Sequence, residues 1–281
     1  MKKSIRCTVC GKNSKVFDKS INLFHCVVCN HTFTAVRVPE EKYLEEYFSD
    51  VHRNWFSYPN YKLFEFIRRR IFQENSSKVI KVLDVGCGNG DLQKYFLAKG
   101  EKAELMGIDL AKNDKFPGIK FIRGNFFTYE IRKIFDAVST LGTIEHIENP
   151  ILFVKKIRGL LNRNGLLVIM TIDSDSLLYW LARLVNWLGI NEAYRQLFVG
   201  HHLQHFTKGS LRRLLENNGY EILYQKNHNF PLKSVDVPKK GTVSEKIYLF
   251  LTALIFAVSS LISRGMLQTV VCRKNNQEQK E

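Results

Sequence analysis

Between Val79 and Gln225, short apolar runs alternate with stretches whose apolar residues return every third or fourth position. A short apolar run bounded by turn formers reads as a buried strand; the longer recurrence reads as a helix with one covered face. VIKVLDV therefore predicts a strand, and DLQKYFLAK a helix with Asp91 in its first turn and Gly100 just past its end. ELMGID, IKFIRG and IFDAVST predict three further strands. The link between the first two of these is about ten residues, too short for a crossover helix. Asn149 and Pro150 predict the cap and first turn of a helix over ILFVKKIRGLL, with Gly165 as its terminator. GLLVIMT predicts a strand, Thr207 caps a helix over LRRLLENN that ends at Gly219, and YEILYQ and MLQTVVCRK complete the set. This alternation predicts an α/β fold: a doubly wound, mainly parallel sheet of seven strands.

The flanking segments follow other patterns. Residues 1–38 are polar and cysteine-bearing. Over 39–77 a helical connector is expected, with Tyr43, Leu44, Tyr47 and Phe48 on one face of its first half and Leu63, Phe64, Ile67 and Ile71 on one face of its second. The main domain then runs over 78–273, interrupted by apolar helical insertions at 176–199 and 231–264, and 274–281 reads as a disordered tail. In the first insertion, Ser176 to Ile190 carries Leu177, Leu178, Leu181, Leu184, Val185 and Leu188 on one face. In the second, Ile247 to Ser263 is apolar nearly all round, with Lys239, Lys240 and Lys246 before it and Arg264 after. Its length is at the lower limit for a membrane span, and a span would carry the last strand away from its sheet. Two readings stay open: the helices over 176–190 and 247–263 dock on a membrane surface, or they pack on each other as a lid or a homodimer face.

Charge narrows the partners. The 281 residues include 42 Lys and Arg against 27 Asp and Glu, a net +15. Such an excess favours an anionic partner, whether nucleic acid, a phospholipid surface or a phosphorylated substrate. The start, MKKSIRCTVC, has no apolar core behind its basic residues and so does not read as a signal peptide. The expected setting is the cytoplasm, at the inner face of the membrane if the apolar helices dock there, where thiols stay reduced.

In that setting Cys7, Cys10, Cys26 and Cys29 stand out as two C-x-x-C pairs. Two such knuckles can place four thiolates tetrahedrally around Zn²⁺ as a zinc ribbon, with a disulfide pairing as the weaker alternative. Gly11 and Asn30 suit the left-handed turn that follows each knuckle. Four cysteines close the coordination sphere, so the zinc is expected to be structural and to supply the ribbon's folding energy.

The sharpest motif is VLDVGCGNGDL, with Gly86, Gly88 and Gly90 straight after a predicted strand and ahead of a predicted helix. Its G-x-G-x-G spacing differs from the dinucleotide fingerprint G-x-G-x-x-G, and no G-K-[ST] is present to hold a nucleoside triphosphate. About twenty residues on, Asp109 ends a strand, where a carboxylate can accept bonds from two ribose hydroxyls. From Val79 to about Gln225 the chain resembles class I S-adenosylmethionine (SAM)-dependent methyltransferases, which have a Rossmann-like fold. VLDVGCGNG resembles the family's first motif, GIDL its second, RGNFF its third and FDAVSTLGTIEHIENP its fourth. HHLQHFTKGSLRRLLENNGYEIL is similar to the stretch after strand five in quinone-type and small-molecule methyltransferases of bacterial cell-surface and metabolite pathways.

The resemblance implies a SAM site in which Gly86, Cys87, Gly88 and Gly90 let the backbone approach the methionyl end and Asp84 steadies the loop and the ammonium. Asp109 and Leu110 would meet the ribose and adenine, Asn125 and Phe126 the adenine, and Leu141 and Gly142 the sulfonium. Asn125 stands where the family often has Asp. Methyl transfer to oxygen needs a base, for which His146, His201 and His205 are candidates, with Glu145 and His202 beside the substrate. A metal held by the histidines is disfavoured because no carboxylate is spaced to join them. The function expected is O-methylation of a small metabolite, a sugar or a lipid-linked glycan. The alternatives are ribosomal or transfer RNA methylation, which those enzymes usually pair with a different finger, and a non-catalytic zinc-ribbon adaptor, which the intact Asp84, Gly86, Gly88 and Asp109 disfavour.

Overall fold

The fold is described from a computed structural model covering residues 5–36, 54, 57–72, 79–112, 114–198, 202–235 and 243–275. The helical spacing at Tyr43–Phe48, the pair Lys239–Lys240, His201 and most of the C-terminal tail lie outside these residues.

Seven strands form the main sheet, in the order β7-β6-β5-β8-β9-β12-β11. β5 (Ile80–Val85) lies at its centre, parallel both to β6 (Ala103–Asp109) and to β8 (Phe135–Leu141). β7 (Ile119–Arg123) extends one side and β9 (Leu161–Ile172) the other, both parallel. β12 (Leu267–Lys274) runs antiparallel between β9 and β11 (Tyr220–His228). Strand order thus reverses at β5, and in open α/β sheets the crevice at that point is where ligands bind.

The predicted elements form where their patterns place them, with one correction. α1 (Tyr61–Phe72) buries Leu63, Phe64, Ile67 and Ile71, and α2 (Asp91–Ala98) follows the glycine turn. α3 (Pro150–Leu160) is capped by the Asn149 side chain, which accepts from the Leu152 amide. It does not run to Gly165: Leu161 is already extended and begins β9. Register jumps from Phe135↔Leu161 to Ala137↔Leu166, so Asn164 (φ 63°) and Gly165 form an irregularity within the strand. After β9 come α4 (Leu177–Trp187) and the short α5 (Glu192–Phe198). α6 (Lys208–Glu216) has Thr207 as N-cap in a reciprocal bond pair with Ser210. α7 (Val243–Leu261) is the second apolar insertion. Among the described residues no helix is long and apolar enough to cross a membrane.

The N-terminal ribbon is fused to this core. Its strands β1 (Ile5–Arg6), β2 (Asn13–Asp18), β3 (Leu23–Cys26) and β4 (His31–Thr34) are antiparallel neighbours. A fifth strand, β10 (Gln204–His205), comes from the main domain and pairs with β4, Gln204 opposite Phe33. Val9 and Phe33 belong to the same buried cluster as Phe153, Ile157 and Phe206, and Leu23 to the cluster holding α1, Phe96 and Tyr179. The domain's core therefore contributes to the ribbon's stability, which corrects the expectation that metal alone supplies it.

Candidate active site

The turn after β5 is built for close backbone approach. Gly86 and Gly90 have φ 72° and 74°, a region that costs other residues roughly 1–2 kcal/mol. A Cβ on Gly86 would lie 2.2 Å from Thr143 Oγ1, and one on Gly90 would lie 2.5 Å from the Phe121 ring. Glycine is thus required at both places by backbone and by space. Asp109, at the end of β6, fastens the turn: its Oδ2 accepts from the Gly88 amide at 2.8 Å and its Oδ1 from the Ala111 amide at 3.0 Å. Beneath the turn, buried Asp84 accepts from Ser139 Oγ at 2.7 Å. Burial pushes the Asp84 carboxyl up to about 7, opposed by the Ser139 bond and reinforced by the Asp109 charge.

Asp84, Gly86, Gly88, Asp109 and Thr143 line one cavity of about 1700 Å³. Ligand pockets usually measure ~300–1,000 Å³, so there is room for a cofactor and an acceptor together. Asp84, Gly86, Cys87, Gly88, Asp109, Leu110, Asn125, Phe126, Leu141 and Gly142 all border it. Gly90 does not: it sits at the N-cap of α2 against Phe121, where its part is in the turn's geometry. Asn125 Oδ1 accepts from the Phe127 amide at 2.7 Å, which closes the turn that presents residues 125–127 to the cavity.

The predicted proton-handling residues separate. Glu145, His146 and His202 line the cavity, and one ligand atom from each lies within 4.8 Å of the others. The His146 and His202 rings are 5.0 Å apart. Glu145 is buried, and its Oε2 accepts from Thr171 Oγ1 at 2.8 Å; burial raises its carboxyl to about 7. A carboxylate therefore does join the histidines, contrary to the expectation from spacing, and the trio can share a proton or hold a cation. His205 lies elsewhere. It is fully buried on β10, with Nδ1 3.4 Å from Tyr179 Oη and its ring tilted against Phe198 at 4.8 Å, and burial lowers its imidazole to about 3. It does not border the cavity, which removes the geometric basis for a role as base.

Sequence reasoning missed most of the remaining wall. Leu178, Leu181 and Val185 of α4 and Leu251, Ile255 and Phe256 of α7 line the cavity. The signal was the apolar character of both helices, which exceeds what one covered face needs.

In the ribbon the four cysteines are free thiols brought together, with Cys7 Sγ 3.5 Å from Cys29 Sγ and Cys10 Sγ 3.5 Å from Cys26 Sγ. All four sulfurs lie within 4.8 Å of one another. A tetrahedron with Zn–S of about 2.3 Å needs sulfurs about 3.8 Å apart, so the donor set fits that ion. Four thiolates this close repel one another unless a cation sits among them.

A family model described as a methyltransferase domain matches residues 54–225, more than half the chain. Among curated relatives, the mitochondrial ubiquinone biosynthesis O-methyltransferase of Dictyostelium discoideum is 28% identical over 186 residues, covering 55% of this chain and 56% of that protein. The (S)-coclaurine N-methyltransferase of Papaver somniferum is 28% identical over 109 residues, 35% of this chain and 31% of that one. The chain thus spans little more than half of the first of these relatives and less of the second. Among solved structures, the plantazolicin methyltransferase BpumL, in complex with a pentazolic desmethylPZN analog and SAH, superposes with a TM-score of 0.53 at 15% identity, covering 82% of this chain and 94% of that one. This last likeness shows the fold.

Proposed function

The chain belongs to the methyltransferase-domain family and is a SAM-dependent methyltransferase, and from that premise we propose that it methylates an oxygen of a small, largely apolar acceptor such as a lipid-linked metabolite or glycan. The observation that carries this reading is that Glu145, His146 and His202 share one cavity with the glycine turn, Asp84 and Asp109. The relatives' names divide between O- and N-methylation. An amine with a free lone pair needs no base, whereas a hydroxyl must lose its proton as it attacks, and a carboxylate–imidazole cluster supplies the acceptor for it.

When bound, SAM supplies a methyl group activated on a sulfonium. Gly86 and Gly88 would let the turn approach the methionyl end, and Asp84 would accept from its ammonium. Asp109 turns towards the ribose the lone pairs that the Gly88 and Ala111 amides leave unused. Leu110, Asn125 and Phe126 would flank the adenine, and Leu141 and Gly142 would border the sulfur. Holding the reacting atoms in line is worth ~7–11 kcal/mol. On the acceptor side His146 and His202 take up the hydroxyl proton, and Glu145 steadies the resulting charge. The four cysteines would hold a structural Zn²⁺.

The helices that wall the cavity also face outward. Trp187 is 81% exposed on α4, and Phe250 and Leu261 are 70% and 85% exposed on α7. Exposed Lys246 and Arg264 stand at the two ends of α7. An apolar strip bracketed by cations fits the surface of an anionic bilayer, from which an apolar acceptor can pass between α4 and α7 into the cavity. The apolar wall disfavours RNA, whose bases and phosphates need polar contacts.

The test is to incubate the protein with methyl-labelled SAM and an extract of the source organism, then partition the label. Label in the organic phase is the expected result. Label retained in RNA, or none in any fraction, overturns the reading.

A further inference from the structure

We propose that the ribbon is a brace for the acceptor side of the cavity, and that Gln204 is the positioning residue through which it acts. The inference rests on the reading of Glu145, His146 and His202 as the proton-accepting group. Gln204 is 1% exposed and every polar atom of its side chain is engaged across the seam between ribbon and domain. Its Oε1 accepts from Thr8 Oγ1 at 2.7 Å and faces His31 Nε2 at 2.9 Å. Thr8 lies inside the first cysteine knuckle and His31 just after the second. Its Nε2 donates to the Ile147 carbonyl at 2.9 Å and lies 3.4 Å from that of Glu148. Those carbonyls directly follow Glu145 and His146.

A parallel backbone route runs beside it. The Thr34 amide of the ribbon donates to the Leu203 carbonyl at 2.8 Å, and the Leu203 amide donates to the Glu145 carbonyl at 2.8 Å. His202 precedes this bridge and Gln204 follows it. The segment carrying Glu145 and His146 is a single turn of 3-10 helix, Ile144–His146, closed by only two backbone bonds, from the His146 amide to the Thr143 carbonyl and from the Ile147 amide to that of Ile144. Thr171 of β9 holds the Glu145 carboxylate itself, and the backbone that carries it and His146 is tied from outside the turn, from the ribbon through Gln204 and Leu203. A misplacement of about 1 Å can cost on the order of a hundredfold in rate, so a brace of this kind acts on turnover.

The amide of Gln204 permits a discriminating test. Gln204→Glu keeps an oxygen for Thr8 but loses the donor to Ile147 while its carboxyl is ionised; once protonated, its O–H can replace that donor. Gln204→Leu loses both halves at every pH. Full-length wild type and both variants are compared by hydrogen exchange of the amides over 144–148 and 202–206, by bound zinc, by S-adenosylhomocysteine affinity, and by methyl transfer to the labelled extract fraction. The expected result is zinc content and cofactor affinity within twofold of wild type, with exchange over 144–148 faster by tenfold or more in Gln204→Leu. Transfer at saturating acceptor should fall ten- to a hundredfold, and the Gln204→Glu to wild-type ratio should climb as pH falls while the Gln204→Leu ratio stays flat. Unchanged exchange over 144–148 in Gln204→Leu, or a Gln204→Glu ratio that ignores pH, overturns the brace. If wild type transfers no label, the functional reading fails, and the exchange and zinc measurements still decide the coupling.

Discussion

Replacing Asp109 by Asn separates the two tasks assigned to this carboxylate. Its oxygens already hold the Gly88 and Ala111 amides at 2.8 and 3.0 Å, and the cavity receives what lone pairs remain. Burial raises its pKa, and the backbone bonds it accepts oppose that rise. Asparagine has one oxygen. Whichever way the amide turns, one backbone N–H faces an NH₂ group, and a ribose hydroxyl loses a charge-assisted bond worth about 1.5–3 kcal/mol. That corresponds to roughly 10- to 150-fold weaker binding of the cofactor. The amide left without an acceptor costs the folded state about 1–3 kcal/mol more, seen as a melting point lower by roughly 2–4 °C per kcal/mol. Titration calorimetry with S-adenosylhomocysteine reads the first effect and a melting curve the second. A dissociation constant within about twofold of wild type, with a lowered melting point, would show that Asp109 only ties the turn and would refute the assignment of the ribose site.

Three further outcomes follow from the same geometry. His205 has a folded value near 3, below its ordinary 6.5, so on acidification the unfolded chain binds the proton first. Its stabilising contribution is complete above pH 6.5 and falls steadily between 6.5 and 3, by about 2 kcal/mol at pH 5. Asp84 and Glu145, both raised to about 7, titrate with the opposite sign, so the quantity to measure is the urea-unfolding difference between wild type and His205→Leu at pH 7 and pH 5. A difference that does not change with pH would contradict the burial argument. Metal analysis should find one zinc per chain, lost in Cys26→Ser together with about 4 kcal/mol or more of stability; a zinc-free wild type that melts like Cys26→Ser would remove the metal from the account. Vesicles of phosphatidylglycerol and phosphatidylcholine should retain the protein and shift Trp180 and Trp187 emission to the blue, an effect weakened by salt and abolished by Phe250→Asp. A salt-insensitive dimer with no vesicle binding would assign the strip to a second copy instead.

The sheet was legible because each strand is a short apolar run ended by a turn former, and the glycine turn because positive φ and lack of space leave no other residue type. Where helix and strand meet without a turn, the signal failed: Leu160 and Leu161 are both apolar, and only tertiary pairing with Phe135 sets the boundary between them. The expectation for His205 failed for a different reason. No periodicity marks HHLQHFT as a strand, yet residue parity decides everything there, since successive side chains of an extended segment face opposite ways. His202 and Gln204 fall on the side of the cavity and its supporting turn, and His205 turns into the core beside Tyr179 and Phe198. The pairing that makes the segment extended comes from the ribbon, some 170 residues earlier in the chain.

Under the proposed function, that dependence gives the cavity a cofactor half and an acceptor half of different construction. The cofactor half is made at the strand ends where sheet order reverses, β5 with β6 on one side and β8 on the other, and its residues are fixed by backbone geometry that few substitutions leave intact. The acceptor half is made of additions to the sheet: α4 and α5 after β9, α7 between β11 and β12, and a short strand held by the ribbon. Side chains on α4 and α7 reach the cavity from outside the sheet, so their size and polarity can change without disturbing the glycine turn. The chemistry of methyl transfer therefore belongs to the sheet, and the choice of what is methylated belongs to the parts attached to it.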